Sequence, residues 1–141
     1  MSIQLRFDAT GVDWDEAAAI FEKAPLGTRH PKTLEQAFTR SSLVCFAWDG
    51  EILVAIGHAL SDGILHSVIY DLCMLPEYQR QGLGSRMLEA ILTRLNTPNC
   101  VLWSVPGKEN FYARHDFRPM LTAMARFENP AKSAVQGYIK P

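Results

Sequence analysis

A glutamine and two glycines mark the place where this sequence could hold an anion. Gln79, Gly82 and Gly84 stand in the order Q-x-x-G-x-G, with Arg80 and Gln81 between them. Leu83, Met87, Leu88, Ile91, Leu92 and Leu95 then recur at the 3.6-residue period of a helix with one buried face. Ahead of the loop, residues 68–75 are mostly apolar and stop at Pro76, as a buried strand does. Strand, glycine loop and helix in that order bring three properties together. Glycine lets the backbone approach a ligand closely. The first turn of a helix, here Leu83 to Arg86 through Ser85, has amide N–H groups without intrahelical acceptors. The helix dipole adds partial positive charge there. Phosphate is the natural guest. No Lys-Ser/Thr follows the last glycine, so this is not a Walker loop, and the dinucleotide pattern G-x-G-x-x-G is absent.

Proton chemistry has two candidates on the same strand. Asp71 is a carboxylate in an otherwise apolar run. Burying it alone is costly, so it must be paired or functional. His66, five residues earlier, is the second candidate, because imidazole titrates near neutral pH. Strand alternation puts the two on opposite faces unless a bulge intervenes. Cys73 lies in the same run, but a buried thiol without a cationic neighbour is inert. The four histidines have no metal-binding spacing, so no metal is expected.

Residues 76–84, Pro-Glu-Tyr-Gln-Arg-Gln-Gly-Leu-Gly, and residues 111–117, Phe-Tyr-Ala-Arg-His-Asp-Phe, together resemble the GNAT superfamily of acyl-CoA N-acyltransferases. The first matches that family's [RQ]-x-x-G-x-[GA] pyrophosphate loop and the second its FYxxxGF segment. The stretch from Ser61-Asp62 to Tyr70-Asp71, then residues 76–84, is further similar to a small plant and prokaryotic branch that includes serotonin N-acetyltransferases. The resemblance implies an α/β fold with a mixed, mostly antiparallel twisted sheet, a splayed parallel pair and flanking helices. It implies acetyl-CoA as co-substrate, held by Arg80, Gln81, Gly82, Leu83, Gly84, Ser85 and Arg86. Main-chain N–H groups of Cys73, Met74 and Leu75 would face the thioester, and Asn110 would add a contact. Tyr112 would protonate the departing thiolate, and Asp71 occupies the acidic position of the branch. The acceptor would be a primary amine, attacking directly in a ternary complex, with Tyr78, Phe38 and His30 near its pocket. The rival readings are acetylation of a protein N-terminus or lysine, and a non-catalytic acyl-CoA sensor. A homodimer is also implied. Two departures stand out: Asp116 replaces the family's glycine, and Ser104-Val105-Pro106-Gly107 stands where an asparagine is common.

Composition bounds the setting. The 141 residues suffice for one domain, 1–141, with a loose tail from about residue 129. A net charge of −1 offers no basic face for nucleic acid. No apolar run is long enough to span a membrane and no signal peptide opens the chain. Three cysteines in apolar runs fit reduced thiols and a cytoplasmic location.

The elements that must position these groups follow in order. Ile3, Leu5 and Phe7 alternate as a strand, and Asp13 caps a helix with Glu16 as a capping-box partner. Pro31 starts a second helix, with Leu34, Ala37 and Phe38 inward. Residues 42–48 and 51–60 form a hairpin about Asp49-Gly50, with Gly57 at a bulge. Residues 64–75 form a fourth strand and 100–105 a fifth, parallel to it through the helix between. A short helix over 107–114 and a strand or pair of strands over 117–127 complete the chain.

Overall fold

The computed structural model describes residues 2–141, which form two compact units, one ending at Leu102 and one running Trp103–Pro141.

The first unit is built on five strands: β1 (Ile3–Arg6), β2 (Leu43–Asp49), β3 (Ile52–Ser61), β4 (His66–Met74) and β5 (Asn99–Val101). They lie in chain order across one sheet, the first four antiparallel and β5 parallel to β4. The mixed sheet expected above is therefore present. Every residue of β3 from Leu53 to Ala59 is buried, because helices cover both faces. Helix α1 (Trp14–Lys23) is capped by Asp13, whose Oδ1 accepts from Asp15 N at 2.9 Å. Glu16 does not close a capping box; its Oε2 accepts from Leu53 N across 3.3 Å and ties the helix to β3. Helix α2 (Pro31–Thr39) has Pro31 at its first position. Helix α3 (Leu83–Leu95) joins β4 to β5 and buries Leu83, Met87, Leu88 and Ile91. His58 of β3 stacks on Phe38 of α2, while a side chain at neighbouring Gly57 would meet Ile91 of α3. Adjacent strand residues point to opposite faces, so α2 and α3 sandwich the sheet.

The hairpin turn falls on Gly50 and Glu51, one residue later than expected, because Asp49 itself pairs with Ile52. The bulge falls at Gly57, with the extra residue across from it. Ile56 pairs with Cys73 and His58 with Tyr70, so Gly57 faces two residues, Asp71 and Leu72. The extra residue is thus on β4, and Asp71 takes it up with a left-handed φ of 56°. The β4–β5 ladder stops at Val68↔Val101. No strand among the described residues pairs with 69–74 on that side, so this stretch keeps an open main-chain edge.

The second unit corrects three expectations. No strand forms over 117–127: Pro119 lacks an N–H, no ladder partner is present among the described residues, and Leu121 and Met124 are 98% and 97% exposed. The fifth strand ends at Val101, ahead of a Ser104 hydroxyl that donates to Val105 O at 2.6 Å. The tail is not loose. Asn129 caps helix α5 (Pro130–Val135), accepting from Lys132 N at 3.1 Å, and Phe127 meets the Tyr138 ring. Helix α4 (Glu109–Ala113) precedes it.

Candidate active site

The bulge decides what Asp71 touches. Tyr70 and Asp71 are neighbours in sequence, yet both reach His58: the rings of Tyr70 and His58 lie 5.7 Å apart, and Asp71 Oδ2 lies 2.7 Å from His58 Nε2. Regular alternation would forbid this; the left-handed residue allows it. His58 Nδ1 lies 2.7 Å from Ser41 Oγ, and Arg29 NH2 lies 3.7 Å from Asp71 Oδ1. Asp71 is therefore paired, as a carboxylate in an apolar strand must be. His58 is 7% exposed, while a third of the Asp71 side chain remains open. Proton-bearing groups thus run from Ser41 to a partly accessible carboxylate.

His66 is elsewhere. It starts β4, is exposed, and pairs with Asn99, five residues from Asp71 or roughly 16 Å along a strand. His58, Ser41 and Arg29 escaped the reading of the sequence as partners of Asp71. One signal was there: a histidine inside the apolar run Ile52–Ser61 needs a buried partner.

The end of β4 divides the three main-chain donors. Leu75 N–H is spent on Val54 O at 2.9 Å, so it does not face the open edge. Ladder alternation then turns Cys73 toward β3 and Met74 outward. The Met74 carbonyl, also outward, accepts from Gln79 Nε2 at 3.2 Å. Burial pushes the Cys73 thiol up to about 12, which keeps it protonated.

The loop is then fixed piece by piece. Pro76–Tyr78 makes one 3-10 turn. The Tyr78 hydroxyl donates to Asp49 Oδ2 at 2.6 Å, and this bond raises its phenol above the ordinary value. Tyr78 thereby braces the turn against β2. Gln81 Nε2 donates to Glu77 O at 2.9 Å. Arg80 is left-handed at φ 63°, and Gly82 caps α3 at φ 82° with no side-chain acceptor. The first helical bond runs from Arg86 N to Gly82 O, which leaves the Leu83 and Gly84 amides without intrahelical acceptors. A Cβ on Gly82 would meet nothing within 4 Å, so the cap opens on space. These features suit an anionic group. The Arg86 side chain turns away: NH1 donates to Ile3 O at 2.8 Å, beside a cleft of about 630 Å³ lined by Gln4, Trp48 and Asp49.

Two acceptor-pocket candidates are placed differently from expectation. Phe38 is 1% exposed and backs the His58 ring at 4.2 Å, so it supports the site from behind. His30 is exposed at the start of α2, next in sequence to Arg29. Among the described residues no cluster of three or more His, Cys, Asp or Glu could hold a metal.

In the second unit Tyr112 is half-buried, edge-on to Phe111 at 5.0 Å and Phe117 at 5.9 Å. Burial raises its phenol, which holds the proton in place. Asn110 is exposed on α4. Asp116 has φ 67°, the left-handed backbone for which glycine is usual and which aspartate tolerates.

Comparison with known proteins covers both units. The family model described as an acetyltransferase (GNAT) domain matches residues 40–119. The chain is similar to an uncharacterised N-acetyltransferase, YjhQ, of Escherichia coli K12, at 30% identity over 96 residues, covering 61% of this chain and 51% of that protein. It is similar to the chloroplastic serotonin N-acetyltransferase 2 of Oryza sativa subsp. japonica, at 25% identity, covering 77% of this chain and 58% of that protein. The chain thus spans between half and three fifths of the length of these curated relatives. A solved GNAT-family acetyltransferase from Streptococcus pneumoniae TIGR4 matches with a TM-score of 0.76 and 25% identity, over 90% of this chain and 98% of that one.

Proposed function

The chain belongs to the GNAT acetyltransferase family, and on that premise we propose that it transfers an acetyl group from acetyl-CoA to a small primary amine of the alkylamine or arylalkylamine class. One observation carries this reading: the β4 bulge presents a partly open Asp71 carboxylate on the strand that leads into the glycine-capped helix.

Acetyl-CoA supplies an activated acyl carbon as a thioester. The amides of Leu83 and Gly84, with Arg80, Gln81, Gly82 and Ser85 around them, would hold its phosphates. Met74 N–H, on the open edge of β4, would meet its carbonyl oxygen and the negative charge that develops there. The acceptor arrives as an ammonium, since an aliphatic amine near 10.4 is neutral in only about one molecule in a few thousand at pH 7. Asp71 takes that proton, directly or through one water. Tyr112, kept protonated by burial, donates to the departing sulfur. Cys73 forms no bond with the acyl group because its thiol stays neutral. A homodimer and a cytoplasmic location belong to the same proposal. Sedimentation would read the first; the three unpaired cysteines fit a reducing compartment.

Thiol release from acetyl-CoA, followed across a panel of alkylamines, arylalkylamines and lysine peptides, tests the reading. Release with small amines and not with peptides is the expected result. Acetyl-CoA binding without release across the panel would leave a sensor, and release with peptides alone would move the acceptor to protein.

A further inference from the structure

We propose that the proton taken by Asp71 is stored on His58, and that Ser41 sets which ring nitrogen can receive it. The inference rests on the Asp71 role proposed above. It follows from counting hydrogens. Ser41 Oγ lies 2.8 Å from Ala37 O and 2.7 Å from His58 Nδ1. The Ser41 amide is spent on Phe38 O at 3.1 Å, so the hydroxyl is what serves the Ala37 carbonyl in the last turn of α2. A hydroxyl has one proton and further capacity only as an acceptor. With that proton on Ala37 O, Ser41 can only accept from His58, and Nδ1 must carry a hydrogen.

The Nδ1–H tautomer leaves Nε2 as the basic nitrogen, and Nε2 faces Asp71 Oδ2 at 2.7 Å. Two lone pairs do not sit at that separation without a proton between them. The geometry is therefore the loaded state of the pair. Arg29 NH2 lies 3.7 Å from Asp71 Oδ1, and the Phe38 ring lies 4.2 Å from the imidazole. Tyr70 and Asp71 of β4, Phe38 of α2 and Ser41 after it are the groups that meet the ring, with Arg29 beyond Asp71. The far end of the chain is a backbone carbonyl, which cannot pass a proton on. The device is a store rather than a wire.

The step balances as follows. One N–H bond of the acceptor ammonium breaks and its proton passes to the Asp71 carboxylate. The proton moves from Oδ2 to the lone pair on Nε2. The amine is left neutral with its lone pair, and the pair becomes imidazolium and carboxylate. Loss of that proton to water resets the site. Ser41 and His58 are positioning residues, since both act through Asp71.

Nitrogen-15 NMR of the uniformly labelled whole protein tests the tautomer without any substrate, with His58→Gln identifying the signals. The neutral His58 ring should carry its hydrogen on Nδ1, and Ser41→Ala should let the Nε2–H tautomer appear. A wild-type neutral ring protonated on Nε2, or a tautomer indifferent to Ser41→Ala, would overturn the assignment. In kinetics, His58→Gln keeps an N–H donor toward Asp71 but cannot take up a proton. Its kcat should fall about tenfold or more, with acetyl-CoA binding within about twofold. Unchanged kcat and pH profile would also overturn it. Should the wild type acetylate no amine, the proposed activity fails on its own, and the NMR result still decides the Ser41–His58 assignment.

Discussion

Gln79 Nε2 donates to the Met74 carbonyl oxygen across 3.2 Å. The side chain that opens the glycine loop is thus fastened to the end of the strand carrying Asp71. Met74 shows its carbonyl and, beside it, its N–H to the open edge of β4, so one hydrogen bond sets the loop relative to that edge. The glycine loop and the open edge of β4 are mechanically joined in this way within the first unit.

Asp71→Asn is the direct test of the base. Asparagine tolerates the left-handed backbone at φ 56° and keeps a polar partner for His58, so the fold should survive. General acid–base catalysis contributes roughly 10²–10⁴-fold, and kcat should fall within that range. Calorimetry should find acetyl-CoA affinity unaltered. A matched loss of both would mean that Asp71 only holds the strand.

Tyr112→Phe removes the phenol and keeps the ring between Phe111 and Phe117. Turnover should drop at least tenfold, with acetyl-CoA affinity changed by no more than about threefold. Burial raises the phenol above its ordinary value near 10, so its proton is retained through neutral pH. A falling activity limb due to Tyr112 belongs only above about pH 10. A wild-type limb falling near neutrality that vanished in the phenylalanine variant would contradict this placement.

Gly82 is tested by two replacements. Glutamate adds a negative charge at the helix start and a side chain at φ 82°, a strain of about 1–2 kcal/mol for an ordinary residue. Acetyl-CoA affinity should fall by about tenfold or more. Asparagine, neutral and tolerant of this backbone, should lose much less. Beyond the adjoining residues no protein atom lies within 4 Å of the new Cβ, so the two replacements differ in charge and backbone strain and not in a steric clash.

Gly57→Val tests the packing opposite the bulge. The first added carbon alone would lie 3.2 Å from Leu72 Cδ1 and 3.5 Å from Ile91 Cδ1. Overpacking of this kind costs about 1–3 kcal/mol, readable as a lower denaturant midpoint. An unchanged midpoint would mean that β4 and α3 yield freely there.

Asp62 predicts an acid-sensitive turn. Its Oδ1 accepts from the amides of Ile64, Leu65 and His66, and these bonds lower its carboxyl to about 2. A depressed native value means that the contribution is full above the unfolded value of 3.8 and is lost as pH falls through about 2. Amide exchange at residues 64–66 should therefore accelerate over that window, ahead of the α3 core. Exchange indifferent to pH after correction for intrinsic rates would remove the role of Asp62.

Local signals made much of the first unit legible. Asp13 capped its helix, Pro31 began the next, and the apolar period of residues 83–95 gave α3 its buried face. The glycine loop was readable because φ 82° at Gly82 and an uncapped helix start are written in residue type. Residues 117–127 depart from their sequence pattern for the complementary reason. A pattern that suits a strand forms one only where a neighbouring strand completes its hydrogen bonds, and none of the described residues does so there.

By itself the sequence determined the order of strand, loop and helix, the glycine-capped start of that helix, and the need of Asp71 for a partner. Each rests on residues close in the chain: glycine conformation, helix-end amides, and the cost of a lone buried carboxylate. Only the tertiary structure decided that the partner is His58, that Ser41 stands behind it, and that Leu75 is spent on the ladder while Met74 faces out. The reason is the one-residue bulge. An extra residue on β4 reverses which face each later side chain meets, and its position depends on how β3 and β4 pair across the hairpin, which no local pattern records.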